Sequence, residues 1–500
     1  MHKYHHIFDT SHLNSDLKKR SLKSGAVTLT SQGIMFVLQL GSTMVLARIL
    51  SPEDYGINAM AVAITGFANI FSYLGLSTAT IQRAEINHNQ VSTLFWINVL
   101  IGVFLTIIIA ALAPVAAWFY NTPEMVAVML SLSLVFFMIG LSVQHSALLT
   151  RQMRFYSIAK IRIFSMIVGL LVAIVTAYHG AGYWALVFNT LASTTCSTIC
   201  FWSACRWNPG LPSRNAGVGS MIKFGIDLVG FNIVSYFSTN LDNVLIGRYH
   251  GSGALGLYSK AYQLLMLPVT NLRDPMVTVA MPALSRLQAD PDHYRSYYMK
   301  CVSLLAFISM PIVVFMFVCS DPLITFLLGT QWIGASEIFK ILAIAALIQP
   351  VVGTLGMVLI SKGKSRMNLK LGVVKATVIS CSFFFGVPWG AKGVAIAYTI
   401  SNYLVFLPLL YFSFLDSPIR MLDFFKSVSR PFLASVLMGL VCSLFLLNVV
   451  DKNIILVLTL AFIVSAALYI IVFLLTPKGI ENLKEYYSYI KLILGRSDKN

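Results

Sequence analysis

Hydrophobic residues run through this chain in long blocks that are separated by short polar connections. A block of about 20 apolar residues is long enough to cross the roughly 30 Å hydrocarbon layer of a bilayer as an α-helix. Such blocks occupy approximately residues 25–48, 56–77, 91–118, 125–148, 158–178, 182–203, 223–247, 254–282, 298–319, 337–361, 367–387, 391–413, 431–449 and 454–475. The pattern predicts an all-α polytopic membrane protein with about 14 transmembrane helices.

Composition supports this prediction and excludes a soluble globular protein. The chain has 57% hydrophobic and only 11% charged residues, with a mean hydropathy of +0.78, whereas soluble domains have about 25% charged residues. The net charge of +17 would suggest nucleic acid binding in a soluble chain. Here the basic residues lie in short connections, so we predict no nucleic acid partner. The seven cysteines lack CxxC spacing, and neither a metal nor another cofactor is predicted.

Lysine and arginine in the connections predict the orientation. Taking the amino terminus as inside, about 28 basic residues fall in the inner connections and the two tails. The four on the outer side are Arg48, Arg248, Lys392 and Lys452. Because basic loops stay in the cytoplasm, both tails, residues 1–24 and 476–500, are predicted to be cytoplasmic.

A short internal repeat has an offset of 200 residues. Ala47-Arg48, Tyr55-Gly56 and Ala61 match Gly247-Arg248, Leu255-Gly256 and Ala261, each around a turn between two predicted helices. Repeated bundles are a common way to build a transporter, with the substrate site at the repeat interface. We predict two pseudo-symmetric six-helix lobes, residues 25–205 and 215–413, followed by a C-terminal helix pair at 431–475.

The seventh and eighth predicted helices carry an unusual set of charges, namely Asp227, Asp242, Lys260, Arg273 and Asp274. A charge near the bilayer centre costs at least about 2.5–3.5 kcal/mol, so such residues usually face a polar cavity or a partner. Helix geometry places them in two layers, one near the outer side and one near the inner side. They line a transport pathway or, alternatively, pair with one another to brace two helices.

The intramembrane charges of the second predicted lobe are slightly cationic. They comprise Lys260, Arg273, Lys340 and Lys375 against Asp227, Asp242 and Asp274. A cationic cavity of low dielectric attracts an anionic cargo such as phosphate. The chain has no GxxxxGK[ST] phosphate loop, so uphill transport would be coupled to an ion gradient, with the carboxylates as ion carriers.

Several stretches resemble a known family. They are Ser24-Gly25-Ala26, Val45-Leu46-Ala47-Arg48-Ile49, Ile81 to His88 with Leu94 to Asn98, and Asn240 to Asn243 through Leu255 to Tyr258. These stretches resemble the WzxC-like polysaccharide exporters, which belong to the multidrug/oligosaccharidyl-lipid/polysaccharide superfamily. The resemblance extends over essentially the whole chain, and the stretch from Ile81 to Asn98 is its most specific part.

The resemblance implies a flippase of the bacterial inner membrane that moves undecaprenyl-pyrophosphate-linked oligosaccharides by alternating access. Its product would serve exopolysaccharide, capsule or O-antigen synthesis, and its partners would be the lipid-linked oligosaccharide, membrane lipids and polysaccharide polymerase machinery. The cargo-facing cations would be Arg48, Arg248, Lys260, Arg273 and Lys375, and the ion-coupling carboxylates Asp227, Asp242 and Asp274. Of these residues, only Arg48, Asp242 and Arg248 lie within the resembling motifs.

Two other functions fit parts of the same pattern. A proton-coupled multidrug exporter would share the fold and the buried carboxylates. A membrane-embedded polysaccharide polymerase or ligase would act on the same lipid-linked sugars, but the outer connections are short and the chain has neither an H-E-x-x-H nor a G-x-S-x-G motif. We therefore expect a transporter and not an enzyme.

Overall fold

The structure is a computed structural model. It describes residues 8, 17–72, 76–83, 85–213, 217–448, 453–475, 479–481, 483 and 486, with backbone only at 17–24, 26, 29, 220, 222–235, 237 and 238. The regular structure of the described residues is entirely helical. The α-helices are α1 Leu17–Ile49, α2 Pro52–Ser72, α3 Leu76–Gln82, α4 His88–Tyr120, α5 Met125–Arg151, α6 Phe155–Tyr178, α7 Trp184–Cys205, α8 Gly219–Arg286, α9 Pro291–Val318, α10 Ser320–Leu328, α11 Gly334–Ala346, α12 Gln349–Val352, α13 Leu355–Ser361, α14 Ser365–Gly386, α15 Gly390–Phe414, α16 Met421–Leu447 and α17 Ile454–Leu475.

The described helices make this an all-α membrane protein. Ten described helical stretches are long and apolar enough to cross a bilayer, or eleven if a bent pair forms one span. One of the ten, residues 365–414, contains both α14 and α15. The long α8 is absent from that set, although two crossing segments were predicted within it. The number of 14 transmembrane helices therefore stays a prediction.

Glycines mark the ends of the helical segments. Inside α8, Gly251 has non-helical angles (φ 77°, ψ −177°), and it lies in the connection predicted between residues 247 and 254. Gly390, with φ 75°, separates α14 from α15 in the same way. Positive φ is accessible to glycine because it has no Cβ. Helix α8 also contains Pro268 and Pro275, each of which lacks a backbone N–H donor.

The segment predicted as one helix at 337–361 is broken. Helix α11 ends at Ala346, and α12 and α13 continue after a bend of 43°. Pro350 begins the second part and cannot donate a backbone hydrogen bond, while Gly353 separates α12 from α13. An apolar run alone does not reveal this interruption.

The chain folds into two compact units, residues 1–259 and 260–500. In the first, a core cluster includes Phe95, Leu148 and Trp207. In the second, the main cluster includes Tyr294, Tyr298 and Phe424. The two predicted six-helix lobes and the C-terminal helix pair are a different division, which stays a prediction.

Two turns that correspond in the 200-residue repeat pack against each other inside the first unit. A methyl group on Gly56 would collide with the Ser252 carbonyl group, and one on Gly256 would collide with the Pro52 carbonyl group. Pro52 and Ser252, like Gly56 and Gly256, are 200 positions apart, so the contact is reciprocal. Glycine is needed at both positions because backbone lies where a side chain would be.

Candidate functional site

The predicted site residues fall in both compact units. Arg48, Asp242 and Arg248 belong to the first, and Lys260, Arg273, Asp274 and Lys375 to the second. The side chain of Asp227 lies outside the described residues. The expectation that all eight surround one cavity stays a prediction.

Arg273 and Asp274 form an ion pair on α8. The Arg273 Nη2 atom lies 2.7 Å from Asp274 Oδ1, and Arg273 Nε donates a hydrogen bond of 2.8 Å to the same oxygen. The Arg273 side chain is 25% exposed and that of Asp274 is 62% exposed. The carboxylate is therefore far more accessible than the guanidinium, which lies against neighbouring helices.

The Arg273 side chain packs at the break in the α11–α13 segment. Its Cδ occupies the place where a Cβ on Gly353 would lie. Gly353 is the first of the two residues between α12 and α13 and is exposed, so the aliphatic stem of Arg273 fits against exposed backbone. Discontinuous membrane helices expose backbone polar groups and are typical of transporter substrate sites.

Lys375, on α14, is another predicted cargo-facing cation of the second unit. Arg273 is close enough for its charge to act on the Lys375 ammonium group, and Lys375 is half-buried. Among the described residues, no ion pair between Lys375 and a carboxylate is found. Arg273, Asp274 and Lys375 thus form a group of net charge +1, which suits a phosphate oxygen as ligand.

Lys260 is buried at the start of the second unit. Its Nζ donates a hydrogen bond of 2.8 Å to Gln263 Oε1. Nearby on the same helix, the hydroxyl of Tyr262 lies 3.4 Å from that of Tyr398, which also accepts a hydrogen bond from Gln349. These neutral partners give the inside of the second unit a chain of hydrogen-bonding groups beside its cations.

Asp242 is the buried carboxylate of the first unit. It is 4% exposed, and its Oδ2 accepts a hydrogen bond of 2.8 Å from the Tyr258 hydroxyl. Its Oδ1 accepts one of 2.8 Å from the backbone N–H of Asn243. These donors satisfy a buried carboxylate, which would otherwise be costly. The predicted pairing of Asp242 with Lys260 stays a prediction.

Arg48 and Arg248 are both exposed at the matching turns of the first unit. The Arg248 guanidinium lies over two aromatic rings, 5.7 Å from the centroid of Phe119 and 5.8 Å from that of Tyr249. Cation–π contacts of this kind orient an exposed arginine without neutralising it.

One cation in our charge inventory is engaged elsewhere. Lys340 was counted with the intramembrane cations, but its Nζ lies 2.6 Å from Asp321 Oδ2, and its side chain is 37% exposed. Lys340 thus forms a surface ion pair and does not add to the positive charge near Arg273.

Sequence reasoning also missed Tyr258, Gln263 and the break at Gly353. The Gln349-Pro350 pair followed by Gly353 is the signal that could have revealed the break.

The first unit contains a network of neutral polar side chains inside its helices. Asn98 donates to Gln144 at 3.4 Å, and Gln144 donates to the Thr80 hydroxyl at 2.7 Å. His145 stacks on Trp202 with ring centroids 4.3 Å apart, and its Nε2 lies 3.2 Å from the Trp207 carbonyl oxygen. His145 is therefore a buried, hydrogen-bonded packing residue.

A family model described as "Polysaccharide biosynthesis protein" matches residues 45–337. The match covers more than half of the chain, and the chain belongs to this family. It is therefore a membrane protein of polysaccharide biosynthesis, in agreement with the resemblance found in its motifs.

Individual relatives support this assignment. Over 426 residues the chain is 26% identical to the teichuronic acid biosynthesis protein TuaB of Bacillus subtilis (strain 168), covering 84% of this chain and 88% of that protein. Over 401 residues it is 25% identical to the lipopolysaccharide biosynthesis protein WzxC of Escherichia coli (strain K12), covering 78% and 82%. Among solved structures, the lipid II flippase MurJ in an inward closed conformation matches with a TM-score of 0.72 and 17% identity, covering 90% of this chain and 97% of that one. At this identity, the structural match demonstrates a shared fold.

Proposed function

We propose that this chain is a flippase for undecaprenyl-pyrophosphate-linked oligosaccharides in the bacterial inner membrane, with both termini in the cytoplasm. It serves exopolysaccharide, capsule or O-antigen synthesis and works by alternating access. The observation that carries the proposal is the group of Arg273, Asp274 and Lys375 beside the broken helix, because its net positive charge suits a pyrophosphate. The family match and the relatives support the class of cargo.

In this proposal the charged residues have different tasks. Arg273 and Lys375 bind the pyrophosphate, because charge-assisted hydrogen bonds to phosphate are strong in a medium of low dielectric. Lys260, Arg48 and Arg248 contact the cargo along its path. Asp242, Asp274 and Asp227 are the carriers of a coupling ion. Asp242 is the best placed of the three because it is buried, where binding or release of a proton changes the local charge strongly.

The test is polymer export in a bacterial host that lacks its own flippase. Wild type, Arg273→Gln and Lys375→Met are expressed at equal membrane levels, with Lys340→Gln as a control that also removes one cation from the second unit. Each site variant is expected to reduce export by about tenfold or more, since a hydrogen bond to a charged group is lost. The control is expected to export normally.

Two outcomes would contradict the proposal. Wild-type export by both site variants would remove Arg273 and Lys375 from the site. Drug resistance conferred on a sensitive host, without any effect on surface polysaccharide, would favour a multidrug exporter.

Asp242→Asn tests the coupling role separately, with loss of uphill export and retained cargo binding as the expected result.

A further inference from the structure

A basic cavity of about 250 Å³ lies within the second unit, away from the proposed cargo site. It is bounded by the first half of α9, the first half of α16, the end of α17 and Tyr486. The residues that matter for its chemistry are Lys300, Ser303, Lys426, Arg430, Phe473 and Tyr486. Lys300 and Lys426 are exposed, so the cavity reaches the surface.

The wall of this cavity carries positive charge only. Lys300, Lys426 and Arg430 line it, and none of the described lining residues is a carboxylate. An adjoining cavity of about 360 Å³ is lined by two carboxylates, Asp292 and Asp423, of which Asp423 pairs with Arg295 at 2.6 Å; neither lines the basic cavity. Three cations facing one small cavity favour an anionic ligand.

Hydroxyl groups form the floor beneath these cations. The Ser303 hydroxyl lies 2.5 Å from that of Tyr486 and donates to the Ser427 carbonyl oxygen at 3.3 Å. Tyr486 is 4% exposed and packs in a cluster with Phe473. The Tyr486 hydroxyl is thereby tied to α9 at the cavity wall. Because both hydroxyl protons are used in these hydrogen bonds, the cations are the donors that remain for phosphate oxygens.

The surroundings of the cavity indicate a lipid and not a soluble anion. On α16, Phe432 and Leu433 are exposed directly after Arg430, and Leu474 and Leu475 are exposed at the end of α17. The orientation predicted from basic loops puts this end of both helices at the cytoplasmic surface. Basic pockets between membrane helices on that side bind anionic lipid head groups.

We propose that this cavity binds the phosphate head group of an anionic phospholipid, while the acyl chains lie along the exposed apolar faces of α16 and α17. The site is independent of cargo binding, because it uses none of the residues assigned to the cargo. An inorganic phosphate would offer the same oxygen chemistry without the apolar contacts, and the experiment separates the two.

The experiment measures thermal unfolding of the full-length protein in a neutral detergent, with phosphatidylglycerol, phosphatidylcholine or inorganic phosphate added in titration. Phosphatidylglycerol is expected to stabilise the wild type at much lower concentration than phosphatidylcholine. The double substitution Lys426→Gln with Arg430→Gln is expected to raise the required concentration about twenty-fivefold, since each cation contributes about fivefold at a membrane surface. Lys364→Gln with Arg366→Gln removes equal charge elsewhere and serves as the control.

The charge-conserving pair Lys426→Arg with Arg430→Lys guards against a folding defect and is expected to keep the preference for phosphatidylglycerol. Equal stabilisation of the wild type by phosphatidylcholine would overturn the proposal. So would stabilisation by inorganic phosphate equal to that by phosphatidylglycerol, or an unchanged response of the Lys426→Gln, Arg430→Gln protein.

Discussion

The two compact units treat polar groups inside the membrane in opposite ways. In the first unit, Asn98, Gln144 and Thr80 are neutral and hydrogen-bond to one another across three helices. In the second unit, Arg273 and Lys375 are cations whose charges act on each other, and Asp274 supplies one carboxylate as the ion-pair partner of Arg273. The three side chains of the first arrangement are hydrogen-bonded to one another, whereas the three described side chains of the second arrangement have a net charge of +1.

This difference separates polar residues that stabilise packing from polar residues that serve a ligand. A neutral hydrogen bond between membrane helices contributes about 0.6–2 kcal/mol to their association. A cation near the centre of the membrane costs at least about 2.5 kcal/mol when no opposite charge is near it. Such a residue is therefore expected where a ligand or a water-filled cavity offsets this cost. We therefore expect substitutions in the first group to change stability and those in the second to change transport.

The largest expected effect comes from reversing a charge in the second unit. Lys375→Glu changes the net charge of the group from +1 to −1 and gives Arg273 a second carboxylate, so folding should persist while pyrophosphate is repelled. Export is expected to fall by more than about a hundredfold, because the pyrophosphate loses the attraction of the lysine and is repelled by the new carboxylate. Polymer export normalised to membrane protein level measures this effect.

Lys375→Arg is the matched control, because it keeps the charge and is expected to retain most of the export. If Lys375→Glu exported as well as wild type, the surplus charge would have no role in transport. The contrast between the two units would then be one of composition only.

A smaller effect is expected from the neutral network of the first unit. Gln144→Leu removes the donor to Thr80 and the acceptor of Asn98, and leaves both buried groups short of a partner. We expect a loss of about 1–3 kcal/mol and, for a chain of this length, an unfolding temperature lower by about 1–3 °C. Export per folded molecule should be unchanged.

Gln32→Leu, on the exposed part of α1, makes the same chemical change outside the network and should leave the unfolding temperature near that of wild type. A Gln144→Leu protein of normal stability with defective export would reverse the assignment, and would give the neutral network of Asn98, Gln144 and Thr80 a transport role.

The sequence allowed the helices and the kinds of charge to be predicted, because both depend on local composition. The connection predicted between residues 247 and 254 contains the non-helical Gly251. The 200-residue repeat identified Gly56 and Gly256 as equivalent. It could not show that each packs on the turn that contains the other, since that contact depends on tertiary structure.

What could not be predicted depends on neighbours distant in the chain. Arg273 and Lys375 are on α8 and α14, and a depth estimate places each in the membrane without placing them together. Lys340 looked like an intramembrane cation until the structure paired it with Asp321. The break at Gly353 was missed because hydropathy registers apolar side chains and not the backbone hydrogen bond that Pro350 lacks.

The smallest expected effect concerns a charge of the second unit that lies outside the membrane. Asp290 precedes α9 and its carboxylate accepts a hydrogen bond of 3.1 Å from the backbone N–H of His293. This hydrogen bond lowers the pKa of Asp290 below its ordinary value. If surplus charge matters only at the cargo site, Asp290 should affect the start of α9 and leave export unchanged.

The pH dependence of this cap has a definite sign. Because the pKa of Asp290 is lower in the folded protein, its stabilising effect is complete above the unfolded value of about 3.9 and is lost as pH falls through the folded value. Asp290→Asn keeps a good N-cap without a titrating group, so amide exchange at residues 291–296, corrected for intrinsic rates, should not show this loss at low pH. Asp290→Ala should exchange several-fold faster at all pH values. Impaired export by Asp290→Asn would show that charge outside the membrane also matters, and the distinction between the two units would have to extend beyond their membrane-embedded residues.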